Sequence, residues 1–194
     1  DFVANSEKNQ IIEIDVPDKH ELRILHEFNP MVFVKVIDGN GEIFGLKLTQ
    51  SYYEIPANLR SLCVYAVSDL RIQLAFEKNK TVHYYIQLDE DGCYNALVGL
   101  HYILDKHRRV SKASWRTGPR VLVTGSPGTG KSTIIRTLIN YHLRNECTPI
   151  FADLECEHNE LSPPGTISIM HIEGNLSFNL PNREKLAYFF GNTT

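Results

Sequence analysis

The sequence predicts an N-terminal all-β sandwich followed by an α/β P-loop domain that is cut short. Three observations carry that expectation. Residues 11–90 break into short runs with period-2 alternation of apolar and polar side chains, separated by turn residues about every ten positions. Residues 125–133 read Gly-Ser-Pro-Gly-Thr-Gly-Lys-Ser-Thr, a full match to the phosphate-loop pattern G-x-x-x-x-G-K-[ST]. The apolar run 119–124 before it and the helically spaced run 133–143 after it supply the strand–loop–helix context that the pattern requires.

The strand candidates, in order, are 12–16, ending at Pro17, then 21–26 and 31–37. Asp38-Gly39-Asn40-Gly41 reads as a hairpin turn, because both glycines accept positive φ. It is expected to return the chain into a strand over 42–48. Further strands are expected at 51–55, 62–67, 71–76 and 81–87, which together make a small antiparallel sandwich over 1–92. Residues 95–108 have helical spacing, with Leu97, Val98, Leu100, His101 and Leu104 toward one side. The basic, turn-rich stretch that follows makes 93–117 a helix and linker; its cations could meet RNA phosphates and Trp115 could stack on a base, but cations solvated at a helix C-terminus and Trp115 capping a domain interface are the favoured readings.

From 118 onward the expectation is a partial nucleotide-binding domain: a buried parallel strand at 119–124, the loop, its helix, and strands at 149–155 and 167–172. The stretch from 118 to 194 is shorter than the roughly one hundred or more residues such a domain takes, so the reading is of a truncated domain. The missing portion would supply a lid and a transition-state arginine.

Composition excludes several classes. The 194 residues are 42% hydrophobic and 22% charged, with a formal net charge of −3, so any affinity for nucleic acid must rest on a local patch rather than on the whole molecule. Cys63, Cys93, Cys147 and Cys156 form no C-x-x-C pair, which argues for reduced thiols rather than a disulfide framework or metal site. No run approaches the roughly 18 apolar residues of a membrane span, so no membrane partner is expected.

The chemistry centres on the loop. Gly125, Gly128 and Gly130 let the backbone curl so that successive N–H groups face a phosphate, and the helix that follows offers its positive dipole end to the same anion. Thr129, Lys131, Ser132 and Thr133 complete the stretch: Lys131 would reach the β- and γ-phosphates, and the Ser132 hydroxyl would sit on Mg²⁺. An acid from the next strand would complete the metal site. Asp153 and Glu155 both qualify, and strand alternation would place them on one face. His158, between Glu157 and Glu160, is read as a surface residue.

Several blocks resemble the polyribonucleotide 5′-hydroxyl-kinase family that includes the P-loop subunit of the pre-mRNA cleavage and polyadenylation machinery. They are Glu42-Ile43-Phe44-Gly45, Gly118-Pro119-Arg120-Val121, Leu138-Ile139-Asn140-Tyr141, Pro164-Gly165-Thr166-Ile167-Ser168 and Phe190-Gly191-Asn192-Thr193-Thr194. The resemblance implies a β-sandwich, a kinase-like P-loop domain and a further C-terminal domain, with ATP and Mg²⁺ as ligands and ATP lying between the first two domains. Glu21, in Glu21-Leu22-Arg23, matches the acid that contacts the nucleotide, and Arg60 falls near the family's basic nucleotide contact across an alignment gap. Residues 128–133 match the phosphate-binding stretch, and Glu155 matches the acid that assists metal and acceptor.

One departure bears on activity. Family kinases carry D-x-G-Q after the second strand, whereas this chain reads Glu155-Cys156-Glu157-His158. Glutamate for aspartate displaces the carboxylate by about 1 Å, enough to cost about 100-fold in a tuned site. Similar erosion marks family members that bind ATP structurally as scaffolds, so the resemblance implies an ATP-binding adaptor in nuclear pre-mRNA 3′-end processing, with protein subunits of that complex as partners and RNA contacted directly or through them. The alternative is an active ATP-dependent RNA 5′-hydroxyl kinase, in which Lys131 and Glu155, or Asp153 as the alternative acid, would be catalytic. No Asn/Thr-Lys-x-Asp guanine reader occurs in the sequence, which favours ATP over GTP.

Overall fold

The computed structural model describes residues 9–26, 31–55, 59, 61–174 and 184–191. Arg60 and the Asn192-Thr193-Thr194 block lie outside them. The chain divides into two compact units, residues 1–104 and 105–194, and the division falls inside a helix.

The first unit is a β-sandwich. One sheet has four strands in the order β1 (Asn9–Val16), β8 (Leu70–Glu77), β3 (Val32–Asp38), β6 (Tyr53–Ile55). The other has five: β5 (Leu46–Lys47), β4 (Gly41–Ile43), β7 (Ser61–Ala66), β2 (His20–His26), β9 (Val82–Leu88). Alternation builds the core. Val32, Val34 and Val36 on β3 face Leu22, Ile24, Leu62 and Val64 of the opposite sheet, and all are buried. β-branched and leucine side chains fill this layer because they fit a pleated, covered face.

The 38–41 turn does not make the expected hairpin. β3 and β4 belong to different sheets, so the turn crosses the sandwich. Its glycines serve a close approach: a Cβ on Gly39 would lie 1.9 Å from the carbonyl oxygen of Asp69, and one on Gly41 2.8 Å from Leu70. The crossing locks onto the second crossing, between β7 and β8, through Val67 N–H donating to the Asn40 carbonyl at 2.9 Å and Asn40 N–H donating to Ser68 Oγ at 3.1 Å. The true hairpin lies five residues on. Glu42 pairs with Lys47 and Ile43 with Leu46, leaving Phe44 (φ 49°) and Gly45 (φ 72°) as a two-residue turn with both central residues at positive φ. The single strand expected over 42–48 is thus two.

Helix α1 (Cys93–Ala113) is longer than expected and absorbs the start of the supposed linker. Asp89 caps it, its two carboxylate oxygens accepting the N–H groups of Cys93 and Tyr94 at 3.0 and 3.1 Å. The half-buried stripe is Tyr94, Leu97, His101, Leu104, Arg108 and Ser111, at alternating three- and four-residue steps, while Val98 and Leu100 are exposed.

In the second unit, α2 (Lys131–Arg144) buries Ile139 against Leu161, Met170 and Ile172, with Ile135, Leu143 and Phe151 packed on that cluster. The sheet is β10 (Ile150–Asp153), β11 (Thr166–His171), β12 (Lys185–Phe189), antiparallel throughout. Residues 119–124 carry no strand, and Val121 and Leu122 are 51% and 77% exposed, so the expected buried parallel strand is corrected. A parallel strand is held only by flanking partners that cover both its faces, and among the described residues none pairs with this run. β12 had no counterpart in the sequence reading.

Candidate nucleotide-binding site

The loop at 125–130 is shaped by two different uses of glycine. Gly128 and Gly130 have φ of 76° and 84°, which side chains resist. Gly125 is needed for space: a Cβ there would sit 2.9 Å from Thr129 Oγ1. That hydroxyl donates to the Ser126 carbonyl at 2.8 Å, and Lys131 Nζ donates to the same oxygen at 3.1 Å. Two donors on one carbonyl fix the curl of the loop and hold the lysine over it.

Helix α2 starts at Lys131 on an N-cap, Gly130, that has no side chain to bond the first-turn N–H groups. Its first turn contains no acid, so its positive end is not neutralised locally. Ser132 and Thr133 are exposed on that turn. Glycine-made concavity, bare helix terminus, poised lysine and exposed hydroxyl fit a nucleoside triphosphate, with Ser132 available to a magnesium ion.

The two candidate acids separate. β10 ends at Asp153, so strand alternation does not extend to Glu155 and the two do not share a face. Asp153 is 8% exposed and spends both oxygens on backbone: Oδ1 accepts Glu155 N–H at 3.1 Å and Oδ2 accepts Glu160 N–H at 2.7 Å. Burial raises its pKa above the usual carboxylate value, against the lowering effect of those two N–H groups. Glu155 lies beyond the strand and is exposed. His158 is a surface residue, 3.9 Å from Glu157. No group of three or more His, Cys, Asp or Glu side chains converges on a metal-sized site among the described residues.

The loop that carries Glu155 is rigidly built, which sequence reasoning missed. Asn159 Oδ1 accepts the N–H groups of Leu161 and Ser162 at 2.9 and 2.8 Å and the Ser168 hydroxyl at 2.9 Å, while its Nδ2 donates to the Thr166 carbonyl at 3.1 Å. Arg136, on the second turn of α2, donates from Nη2 to Glu160 Oε2 at 2.9 Å. Asn159 stands directly before Glu160-Leu161-Ser162-Pro163, a turn-rich run, and that placement was the available signal.

Glu21 sits in the other unit, on β2, 8% exposed. Register puts it between Gln87 on β9 and Tyr65 on β7. Its Oε2 accepts Arg23 Nη2 at 2.5 Å, Arg23 Nε at 2.9 Å and Gln87 Nε2 at 2.9 Å. Next along the row, Tyr65 stacks on Tyr94 of α1 with centroids 3.8 Å apart. Burial, with Asp89 next, pushes the Tyr65 phenol up to about 12.

A phosphate-binding loop opening a helix, in a chain that also carries a β-sandwich, defines a P-loop protein with an appended β domain. The chain belongs to the CLP1 family of mRNA cleavage and polyadenylation factors. Residues 15–111 match the family described as the N-terminal beta-sandwich domain of polyadenylation factor, and residues 125–194 match the mRNA cleavage and polyadenylation factor CLP1 P-loop. It is 29% identical to the chicken (Gallus gallus) polyribonucleotide 5′-hydroxyl-kinase Clp1, covering 98% of this chain and 44% of that protein. It is 30% identical to the Debaryomyces hansenii mRNA cleavage and polyadenylation factor CLP1, covering 85% of this chain and 36% of that protein. Among solved structures, Clp1p from a study of the extended Pcf11p–Clp1p interface and of ATP loss in a point mutant matches with a TM-score of 0.77 at 25% identity, over 94% of this chain and 45% of that one. The chain thus spans less than half the length of these relatives.

Proposed function

We infer that this chain is the ATP-binding portion of a nuclear pre-mRNA 3′-end processing subunit that acts as a nucleotide-stabilised adaptor between protein partners. The observation that carries the reading is the loop itself: positive-φ glycines at 128 and 130, Lys131 held over the Ser126 carbonyl, and an α2 terminus without a capping side chain. When bound, Mg²⁺ would neutralise phosphate charge, with Ser132 as its protein hydroxyl. The family match and the Pcf11p interface of the structural relative support the adaptor role.

Turnover is disfavoured on two grounds. Asp153 is committed to backbone N–H groups, and Glu155, which replaces the family aspartate, is exposed beyond the strand end. A base or metal ligand must be held within a fraction of an ångström to contribute fully. The test is incubation of the full-length protein with labelled ATP and 5′-hydroxyl RNA, beside Lys131→Ala. ATP retained without transfer, and lost in the variant, is the expected result. Phosphate transfer abolished by Lys131→Ala would replace the adaptor reading with the kinase that the vertebrate relatives are named for.

A further inference from the structure

The last two turns of α1 and the segment after them gather charge of one sign. Between Asp105 and Arg120 stand six of the chain's 20 Lys and Arg but one of its 23 Asp and Glu. The rest of an overall acidic chain is therefore strongly acidic, and this stretch is a cationic island within the second unit. Lys106, Arg109 and Lys112 follow at successive turns and are exposed, as are Arg116 and Arg120. Arg109 holds the single acid, Asp105, at 2.8 Å. Arg108 faces the other way, its Nη1 2.5 Å from Nδ1 of His142 on α2, and so fixes the ridge to the helix of the phosphate loop.

Trp115 stands at the centre of this island. It occupies the first position past the helix in a Schellman turn, with its own N–H on the Lys112 carbonyl at 3.4 Å and the Arg116 N–H on the Ser111 carbonyl at 2.9 Å. Its φ is 54°, a left-handed conformation that favours glycine at such positions. Its side chain contributes nothing to the core: it is 98% exposed, which corrects the expectation that it caps an interface. A large aromatic in a strained backbone position, with its ring in solvent among cations, is an outlier that folding does not require.

We propose that residues 106–120 form a single-stranded RNA-binding ridge, in which Trp115 stacks on an unpaired base and Lys106, Lys112, Arg116 and Arg120 contact phosphates. Single strands are bound by this pairing of an aromatic platform with a cationic track, because every base has a π-face and every nucleotide a charge. The track runs toward the phosphate loop, since Arg120 precedes Gly125 by five residues. The ridge stands on its own geometry and does not rest on the nucleotide reading.

Trp115 is the sole tryptophan of this chain, so its emission reports the contact directly. Titration with a mixed-sequence single-stranded oligoribonucleotide should quench that emission. Affinity should fall with salt at a log–log slope of about −3 for four phosphate contacts. Trp115→Gly, which suits the turn, should weaken binding of labelled RNA at least about tenfold while leaving nucleotide binding and the melting temperature intact. Lys112→Glu combined with Arg116→Glu should weaken binding and flatten the salt slope. Unchanged affinity in Trp115→Gly would overturn the proposal. So would equal quenching by a polyglutamate peptide, which would make the ridge a site for an acidic protein segment. RNA quenching that persists in a chain unable to hold ATP would count against the proposed function alone.

Discussion

Glu160 N–H donates to Asp153 Oδ2 at 2.7 Å, and the Glu160 carboxylate in turn holds Arg136 of α2 at 2.9 Å. One line of contacts therefore ties the helix of the phosphate loop to the loop that carries Glu155. Because burial raises the folded-state pKa of Asp153, the native state binds the proton more tightly than the unfolded chain does. Its contribution to stability is thus present below the unfolded carboxylate pKa of about 3.9 and lost as pH rises through the higher folded value. Asp153→Asn removes that titration and one acceptor, a pH-independent cost of about 1 kcal/mol. Thermal melts from pH 4 to 7 should show the gap between wild type and variant narrowing as pH rises; a widening gap would mean that the N–H groups outweigh burial.

The sandwich was legible because its strands alternate, and alternation is a local signal: β2, β3, β7, β8 and β9 fall within one residue of the runs read from the pattern, and β1 ends where expected but begins three residues earlier. Pairing is not local. The glycines at 39 and 41 looked like a hairpin because glycine marks both a positive-φ turn and a close backbone approach, and only the fold reveals Asp69 and Leu70 against them. The phosphate loop was legible residue by residue, since its geometry lies within nine positions. The role of Asp153 was not, because the N–H groups that occupy it belong to a loop whose shape Asn159 sets.

Gly125→Ala tests the space argument for the loop. The new Cβ would meet Thr129 Oγ1 at 2.9 Å and displace it from the Ser126 carbonyl, so ATP affinity should fall about tenfold, or about 1.4 kcal/mol. Adding Thr129→Ala removes the clashing atom, and the double variant should bind ATP better than Gly125→Ala alone. Calorimetric titration of the three chains decides it, and no recovery in the double variant would point to a backbone cause instead.

Thiol reactivity should map the environment of Glu21. Burial, followed by the negative charge of Glu21, pushes Cys63 up to about 12, and only the thiolate reacts. With iodoacetamide at pH 8, exposed Cys93 should be alkylated well before Cys63, as read by peptide mass spectrometry. Glu21→Gln removes the second cause and should quicken Cys63 labelling; equal rates at Cys63 and Cys93 in the wild type would contradict the buried setting.

Trp115 offers a test in which binding falls while stability holds or rises. A left-handed residue with a Cβ costs about 1 kcal/mol or more relative to glycine, and the Schellman bonds to Ser111 and Lys112 do not involve the side chain. Glycine also enlarges the entropy of the unfolded chain, which offsets part of the gain. Trp115→Gly should therefore unfold in urea at a midpoint equal to or above that of the wild type, with an unchanged slope. Trp115→Ala keeps the strained backbone and removes the ring, so it should fall below the glycine variant. If both variants instead unfold early, the indole packs on something that stabilises the fold, and its exposure is not what holds it in the sequence.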